Sequence, residues 1–213
     1  MNKIHIVAGG PEQLLPELYR SDNDVYIGVD EGTKFLYNRN ITPNAAFGDF
    51  DSISEVELST IINNQKVQTF TFDREKDMTD LELAVRWAIK QRPELIILYG
   101  VTGGRLDHEL INIQMLTLGL DHGIEMKIID IQNEIILLNP GTYTVKPDDE
   151  LFYISFLPFS DLVKGITLTG FRYPLLDTDL RFGSTLCISN ELVTKKGTYS
   201  FDDGILMMVR SKD

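Results

Sequence analysis

The feature that most constrains the fold is a change of sequence pattern near residue 130. Before it, short apolar runs such as KIHIVAGG and DVYIGVDEG end in glycine or acid and alternate with stretches of helical spacing, which is typical of βαβ units. After it, short β-rich runs are separated by Asn, Pro, Gly and Asp, without a convincing helix. The pattern predicts an α/β fold: an N-terminal, mostly parallel α/β domain (1–130) followed by a C-terminal all-β sandwich (131–213).

Two helices are predicted in the first half. The first runs from Thr79 to about Arg92, where apolar residues recur at helical spacing; Thr79 with Glu82 is a capping-box sequence, and a proline follows the far end. The second follows a glycine turn, with Leu106, Leu110 and Ile113 expected on its inner face and its end expected near Gly119.

The charge balance limits the possible partners. Twenty basic and 32 acidic side chains leave a net charge of −12, which argues against binding to nucleic acid or to anionic lipid. An anionic substrate would need a cation as intermediary. No apolar run approaches the roughly 20 residues that span a bilayer. With a single cysteine, Cys187, and no signal-peptide pattern, we expect a cytoplasmic protein.

Aspartates follow several of the predicted parallel strands, where ligands of α/β sheets bind. They are Asp30, Asp49, Asp51, Asp73, Asp77, Asp80 and Asp107. A single aspartate after a strand is usually a turn residue or a helix cap, which is our interpretation of Asp73, and Asp80 would also suit a first helical turn. Four acid-bearing loops at one sheet edge favour a shared functional site.

The stretch GDFDS brings two of these acids close together. Asp49 and Asp51 are two residues apart, so in an extended chain their side chains point to the same side, roughly 6.6 Å apart at the backbone. Crowded carboxylates repel each other unless a cation lies between them. Mg²⁺ suits such a pair because it takes one or two carboxylates and completes its shell with water and phosphate. We expect Phe50, between them, to point into the core.

A glycine-rich turn, GVTGGRLDH, offers the donors that phosphate needs. It combines backbone N–H groups, a helix N-terminus and Arg105, whose guanidinium can bind phosphate through two parallel hydrogen bonds. Neither GxxxxGK[ST] nor GxGxxG occurs, so P-loop and dinucleotide fingerprints are absent.

Taken in order, GDFDS, DMTD at 77–80, GVTGGRLDH and SNE at 189–191 resemble the thiamine pyrophosphokinase family over nearly the whole chain. The resemblance implies a nucleotide-handling α/β domain followed by a β-sandwich, working as a homodimer with thiamine near the subunit interface. It also implies Mg²⁺-dependent transfer of the terminal diphosphate of ATP to the hydroxyl of thiamine, which leaves AMP.

The same resemblance implies roles for individual residues. Asp49, Asp51, Asp77, Asp80 and Asp107 would form the metal and diphosphate site, the first three as metal ligands. Nucleotide binding would fall to Asp30, Thr102, Gly103, Gly104 and Arg105. Ser189 and Asn190 would hold the thiamine pyrimidine. Either Asp107 or Asp80 could accept the proton of the thiamine hydroxyl.

Two departures from the family pattern stand out. Asp30-Glu31-Gly32 replaces the common Asp-Gly-Gly, and the β half has no tryptophan, so an aromatic wall for thiamine would come from Phe171, Tyr173 or Tyr199. Two other functions also fit a metal-binding acidic cleft. They are a metal-dependent hydrolase of nucleotides or diphosphates, and a non-catalytic module that binds nucleotide or thiamine.

Overall fold

The computed structural model describes residues 3–50, 67–71 and 77–213. The chain divides into two compact units, one ending at Ile131 and the other beginning at Gln132. Two residues considered above, Asp51 and Asp73, lie outside the described residues. In the described part, no helix is long and apolar enough to cross a bilayer.

The first unit is built on a parallel sheet. Its described strands are β1 (Lys3–Val7), β2 (Val25–Val29), β3 (Ala45–Gly48), β4 (Gln68–Thr71), β5 (Leu95–Tyr99) and β6 (Glu125–Ile129). They pair in the order β4-β3-β2-β1-β5-β6, and every pair is parallel. Strands β2 to β4 lie on one side of β1, and β5 and β6 lie on its other side, so the strand order reverses at β1. Crevices at such a reversal, beyond the carboxyl ends of the strands, are where α/β sheets bind ligands.

Four described α-helices accompany this sheet. They are α1 (Glu31–Asn38), α2 (Asp80–Lys90), α3 (Leu106–Gln114) and α4 (Thr117–His122), and a short 3₁₀ helix (Glu12–Leu14) follows β1. Helices cover such sheets on both faces, and apolar residues of the central strands are completely buried: Ile4 and Ile6 in β1, Ile27 in β2 and Leu98 in β5.

The predicted start of α2 is confirmed at Thr79. Its hydroxyl oxygen accepts a hydrogen bond from the backbone N–H of Glu82 at 3.1 Å, and the apolar positions of the helix are buried. The carboxylate of Glu82 accepts a hydrogen bond from Arg86 Nε at 2.8 Å.

The predicted inner face of α3 is wrong for its two leucines. Leu106 is 68% exposed and Leu110 is 52% exposed, whereas Ile113 is partly buried and Asn112 is the buried residue of the helix. The polar side chains of Glu109 and Asn112 hold the preceding loop. The predicted end near Gly119 is wrong too: Gly119 lies within α4, and Gly123 ends that helix in the left-handed conformation (φ 66°).

The second unit consists of antiparallel strands. They are β7 (Asn133–Leu138), β8 (Gly141–Val145), β9 (Tyr153–Pro158), β10 (Leu162–Thr169), β11 (Leu175–Arg181), β12 (Gly197–Phe201) and β13 (Leu206–Ser211). One sheet has the order β7-β13-β9 and the other β11-β10-β12-β8. The predicted fold class, parallel α/β followed by a β-sandwich, is therefore confirmed.

The core of this unit is built from large apolar side chains of both sheets. Phe156 and Leu206 from one sheet and Ile166 and Phe201 from the other are almost completely buried in one cluster. Cys187 belongs to the same cluster, and burial raises the pKa of its thiol to about 11. The thiol is thus protonated at neutral pH and serves as a small core residue.

Candidate active site

A cleft of about 780 Å³ opens in the first unit where its strand order reverses. Its lining comes from the residues that directly follow β1, β2, β3 and β5, and from the first turns of α2 and α3. The aspartate-rich strand ends and the glycine-rich turn predicted from the sequence therefore share one cavity.

The floor of the cleft is backbone, because the segments after β1 and β5 touch directly. The Ala8 N–H donates to the Tyr99 carbonyl at 2.9 Å, and the Gly10 N–H donates to the Gly100 carbonyl at 2.8 Å. Gly100 has φ 63°, and a Cβ there would lie 2.4 Å from the Ala8 carbonyl oxygen. Only glycine fits this position, so the turn brings main-chain groups close to any ligand in the cleft.

Asp30 is held in a strained conformation at the end of β2. Its φ of 48° and ψ of −125° are unusual for a residue with a side chain, and such strain costs about 1 to 3 kcal/mol and concentrates at ligand sites. Its N–H donates to the Phe47 carbonyl at 2.9 Å. A Cβ on Gly48 would lie 2.0 Å from the Asp30 Oδ1 atom. Because Gly48 has no side chain, the Asp30 carboxylate can occupy the space beside it.

The structure accommodates glutamate at the second position of Asp30-Glu31-Gly32, where the family commonly has glycine. A Cβ at Gly32 would lie 2.0 Å from the Val7 carbonyl oxygen, so the third position has to be glycine. Glu31 lines the cleft and is only partly buried. The substitution at the second position is thus accommodated, and it adds a carboxylate to an already acidic cavity.

Three of the predicted catalytic aspartates line the cleft together. Asp49 and Asp80 are partly buried there and Asp77 is exposed. Of the two other acids of the predicted set, Asp51 lies outside the described residues, and Asp107 is not among the residues that line the cleft. Within the described part of the chain, no three His, Cys, Asp or Glu side chains are gathered closely enough to hold a metal ion. Phe50, as predicted, is buried in the core.

The donor chemistry of the cleft nevertheless fits Mg²⁺. The ion needs only one or two protein carboxylates and takes its remaining oxygens from water and phosphate, and Asp49, Asp77 and Asp80 all line the cavity.

The glycine-rich turn uses several of its polar groups within the protein. Thr102 is buried, and its hydroxyl donates to Asp130 Oδ2 at 2.7 Å. The Gly103 N–H donates to Glu109 Oε2 at 3.0 Å. Gly104 and Arg105 line the cleft. Of the predicted nucleotide-binding groups in this turn, the Thr102 hydroxyl and the Gly103 amide are therefore engaged by side chains.

The sequence reasoning did not identify Glu109 or Asp130. Asp130 directly follows β6, so the rule that selected the aspartates after the other parallel strands would also have found it. Glu109 lies in the first turns of α3, and no pattern in the sequence marks it as a partner of the glycine turn.

Arg105 and Asp107 form an ion pair. Arg105 Nε lies 3.1 Å from Asp107 Oδ1, and Nη2 lies 2.6 Å from Oδ2. Both side chains are exposed, so the pair adds little stability. The guanidinium lowers the pKa of Asp107, which makes this carboxylate a weaker base while the pair lasts.

In the second unit, the two predicted thiamine residues differ in accessibility. Ser189 is exposed, has φ 54°, and its N–H donates to Ser155 Oγ at 2.9 Å. Asn190 is only 1% exposed. Its Oδ1 accepts from the N–H groups of Tyr173 (3.0 Å) and Glu191 (2.9 Å), and its Nδ2 donates to the Tyr173 carbonyl (2.8 Å). Its amide thus holds the backbone of these two residues.

The three candidates for an aromatic wall around thiamine differ in how far they are buried. Phe171 and Tyr199 belong to the core of the second unit, whereas Tyr173 is 60% exposed. Asn190 holds the backbone of Tyr173, so the exposed aromatic ring is carried by an anchored segment.

The comparisons with known proteins agree with this geometry. Residues 17–128 match the family model described as "Thiamin pyrophosphokinase, catalytic domain", and residues 142–206 match "Thiamin pyrophosphokinase, vitamin B1 binding domain". The chain is 48% identical over 215 residues to the thiamine pyrophosphokinase of Bacillus subtilis, covering 100% of both chains.

Solved structures show the same relationship. The crystal structure of the Bacillus subtilis thiamine pyrophosphokinase superposes with a TM-score of 0.94 at 47% identity and covers 100% of both chains. A thiamin pyrophosphokinase family protein from Enterococcus faecalis has a TM-score of 0.90 at 29% identity, again over 100% of both chains. The family models and the full-length identity together show that the chain belongs to the thiamine pyrophosphokinase family.

Proposed function

We propose that this protein transfers the diphosphate group of ATP to the hydroxyl of thiamine, giving thiamine diphosphate and AMP. The observation that carries the proposal is the strand-end cleft, which combines aspartates, a backbone floor and Arg105 in a chain 48% identical to a thiamine pyrophosphokinase. In this reaction the hydroxyl oxygen attacks the β-phosphorus of ATP, and the bond from that phosphorus to the oxygen of AMP breaks. Such a transfer depends mainly on positioning and on charge neutralisation.

We assign nucleotide binding to the first unit. Arg105 is the cationic side chain at the glycine turn and offers a planar fork for phosphate oxygens once it leaves Asp107. Gly104 and the backbone floor allow main-chain groups to approach the ligand closely, and Asp30 also lines the cleft. Thr102 and Gly103 contribute by shaping the turn, because their hydroxyl and amide are held by Asp130 and Glu109.

We further propose that Asp49, Asp51 and Asp77 hold Mg²⁺. The chain carries a net charge of −12, so a tetra-anionic nucleotide would be repelled from an acidic cleft without a cation. Bound Mg²⁺ would neutralise the diphosphate oxygens and orient them for transfer.

For the proton of the thiamine hydroxyl, we favour Asp80 over Asp107. Asp80 lines the cleft at the start of α2, whereas Asp107 is not among the residues that line it.

We assign thiamine binding to Ser189 and Tyr173 of the second unit, with Asn190 as the residue that positions both. Ser189 and Tyr173 are exposed, and the buried Asn190 amide ties the Tyr173 backbone to the segment that carries Ser189.

We also propose a homodimer. Large apolar side chains are exposed in each unit, and an interface between two copies would bury them. They include Leu106, Leu110 and Ile111 on α3, and Leu176, Phe182 and Val193 in the second unit.

A cytoplasmic location remains a prediction from the sequence.

The reaction can be identified from its products. With Mg²⁺, ATP and thiamine, the protein should release AMP and thiamine diphosphate in equal amounts, measured together by chromatography. ADP as the sole nucleotide product would contradict diphosphate transfer, and turnover without thiamine would indicate a hydrolase instead.

Replacing Asp49 tests the metal and diphosphate site. Asp49→Asn should lower kcat at least a hundredfold, because one lost charge-stabilising contact in such a site is worth about 3 to 4 kcal/mol. Asp121→Asn is the matched control, since Asp121 is an exposed acid of the same unit on α4, outside the cleft. Unfolding curves of both variants should match the wild type. Full activity of Asp49→Asn would remove Asp49 from the site.

Replacing Ser189 tests the thiamine site. Ser189→Ala should weaken thiamine binding two- to tenfold in isothermal titration calorimetry, because one hydrogen bond contributes about 0.5 to 1.5 kcal/mol. Ser184→Ala, in the same segment, should leave the affinity unchanged. Equal affinities for Ser189→Ala and the wild type would exclude Ser189 as a contact.

The oligomeric state follows from the mass in solution. Sedimentation equilibrium should give about twice the 24.2 kDa of one chain. Leu110→Lys, which places a charge on the exposed side of α3, should shift the equilibrium towards monomer if that side is buried between copies. A wild-type mass of one chain at micromolar concentration would contradict the homodimer.

A further inference from the structure

Four successive residues between β5 and α3 are each anchored by one hydrogen bond. The Gly100 carbonyl accepts from the Gly10 N–H (2.8 Å), and the Val101 carbonyl accepts from Asn112 Nδ2 (2.9 Å). The Thr102 hydroxyl donates to Asp130 Oδ2 (2.7 Å), and the Gly103 N–H donates to Glu109 Oε2 (3.0 Å). The anchoring groups belong to three elements: the segment after β1, helix α3 and the residue that follows β6.

Two of these anchors are buried polar side chains. Asp130 and Asn112 are both less than 9% exposed, as is Thr102. A buried polar group that loses its partner keeps its desolvation penalty, so each contact strongly favours one loop conformation. The anchored run ends at Gly103, immediately before Gly104 and Arg105, which line the cleft.

We infer that Asp130 and Asn112 are positioning residues, which hold residues 101 and 102 so that Arg105 meets the phosphates of the nucleotide at a set place. The inference rests on the proposed function only in taking ATP as the ligand of the cleft. Asp130 is not among the residues that line the cleft, whereas Asn112 lines it as well as holding Val101. Their effect passes through the loop backbone to Arg105, and a small misplacement of a group that binds the transferring phosphates can cost about a hundredfold in rate.

The test is a double-mutant cycle with MgATP binding as its readout. Isothermal titration calorimetry is run on the wild type, Asp130→Ala, Arg105→Ala and the double variant. We expect Asp130→Ala alone to weaken MgATP binding at least fivefold. In the Arg105→Ala background the same change should weaken it less than twofold, because the group being positioned is already gone. Equal losses in both backgrounds would overturn the inference.

A conservative variant and a second anchor separate positioning from general damage to the fold. Asp130→Asn keeps an oxygen that can accept from Thr102 and should restore binding to within twofold of the wild type. Asn112→Leu removes the donor to Val101 at nearly constant volume, adds no charge to the cleft, and should reproduce the loss. Thiamine affinity should stay unchanged in all variants. A parallel loss of thiamine binding would indicate a structural role and overturn the inference.

These measurements also separate the inference from the proposed function. Wild-type protein that binds MgATP but forms no AMP would contradict the proposed reaction. The double-mutant cycle would still test whether Asp130 positions Arg105. Wild-type protein that binds no nucleotide would overturn both.

Discussion

The parallel pairing of β1 with β2 on one side and β5 on the other determines the rest of the first unit. This pairing reverses the strand order beside β1 and opens a crevice beyond the carboxyl ends. The segments after β1 and β5 then meet backbone to backbone at Gly10 and Gly100, at a separation that leaves no space for side chains. The aspartates that follow the neighbouring strands surround the same crevice, because parallel strands all end at one edge of the sheet.

The cleft combines two opposing electrostatic requirements. Its walls are rich in carboxylates, while the cosubstrate of the family reaction is a polyphosphate, and only Arg105 supplies a cation among the lining residues described. A divalent cation would reconcile the two, since it converts the carboxylates from a repulsive wall into ligands. Asp30, whose backbone is strained, lies at the same cleft. Its carboxylate occupies the space that a side chain at position 48 would fill, and this space is free because residue 48 is glycine.

Several polar side chains near these sites form hydrogen bonds within the protein that hold neighbouring segments in place. The amide of Asn190 bonds the backbone of Tyr173 and Glu191, and the Thr102 hydroxyl bonds Asp130. Polar residues of a motif can thus hold the backbone that carries their neighbours, because nearby side chains are the nearest groups that can fix it.

The sequence by itself determined the features that depend on local chemistry. The change of pattern near residue 130 predicted parallel α/β followed by a sandwich, Thr79 predicted the start of α2, and the acids after the strands predicted which edge carries the cleft. Tertiary structure decided which side of α3 is buried and which polar groups are already engaged. Thr102 meets Asp130 across 28 residues of sequence, and Asn190 meets Tyr173 across 17. Helical spacing and strand-end rules act over a few residues, whereas a hydrogen-bond partner is chosen by whichever distant segment the fold places within about 3 Å.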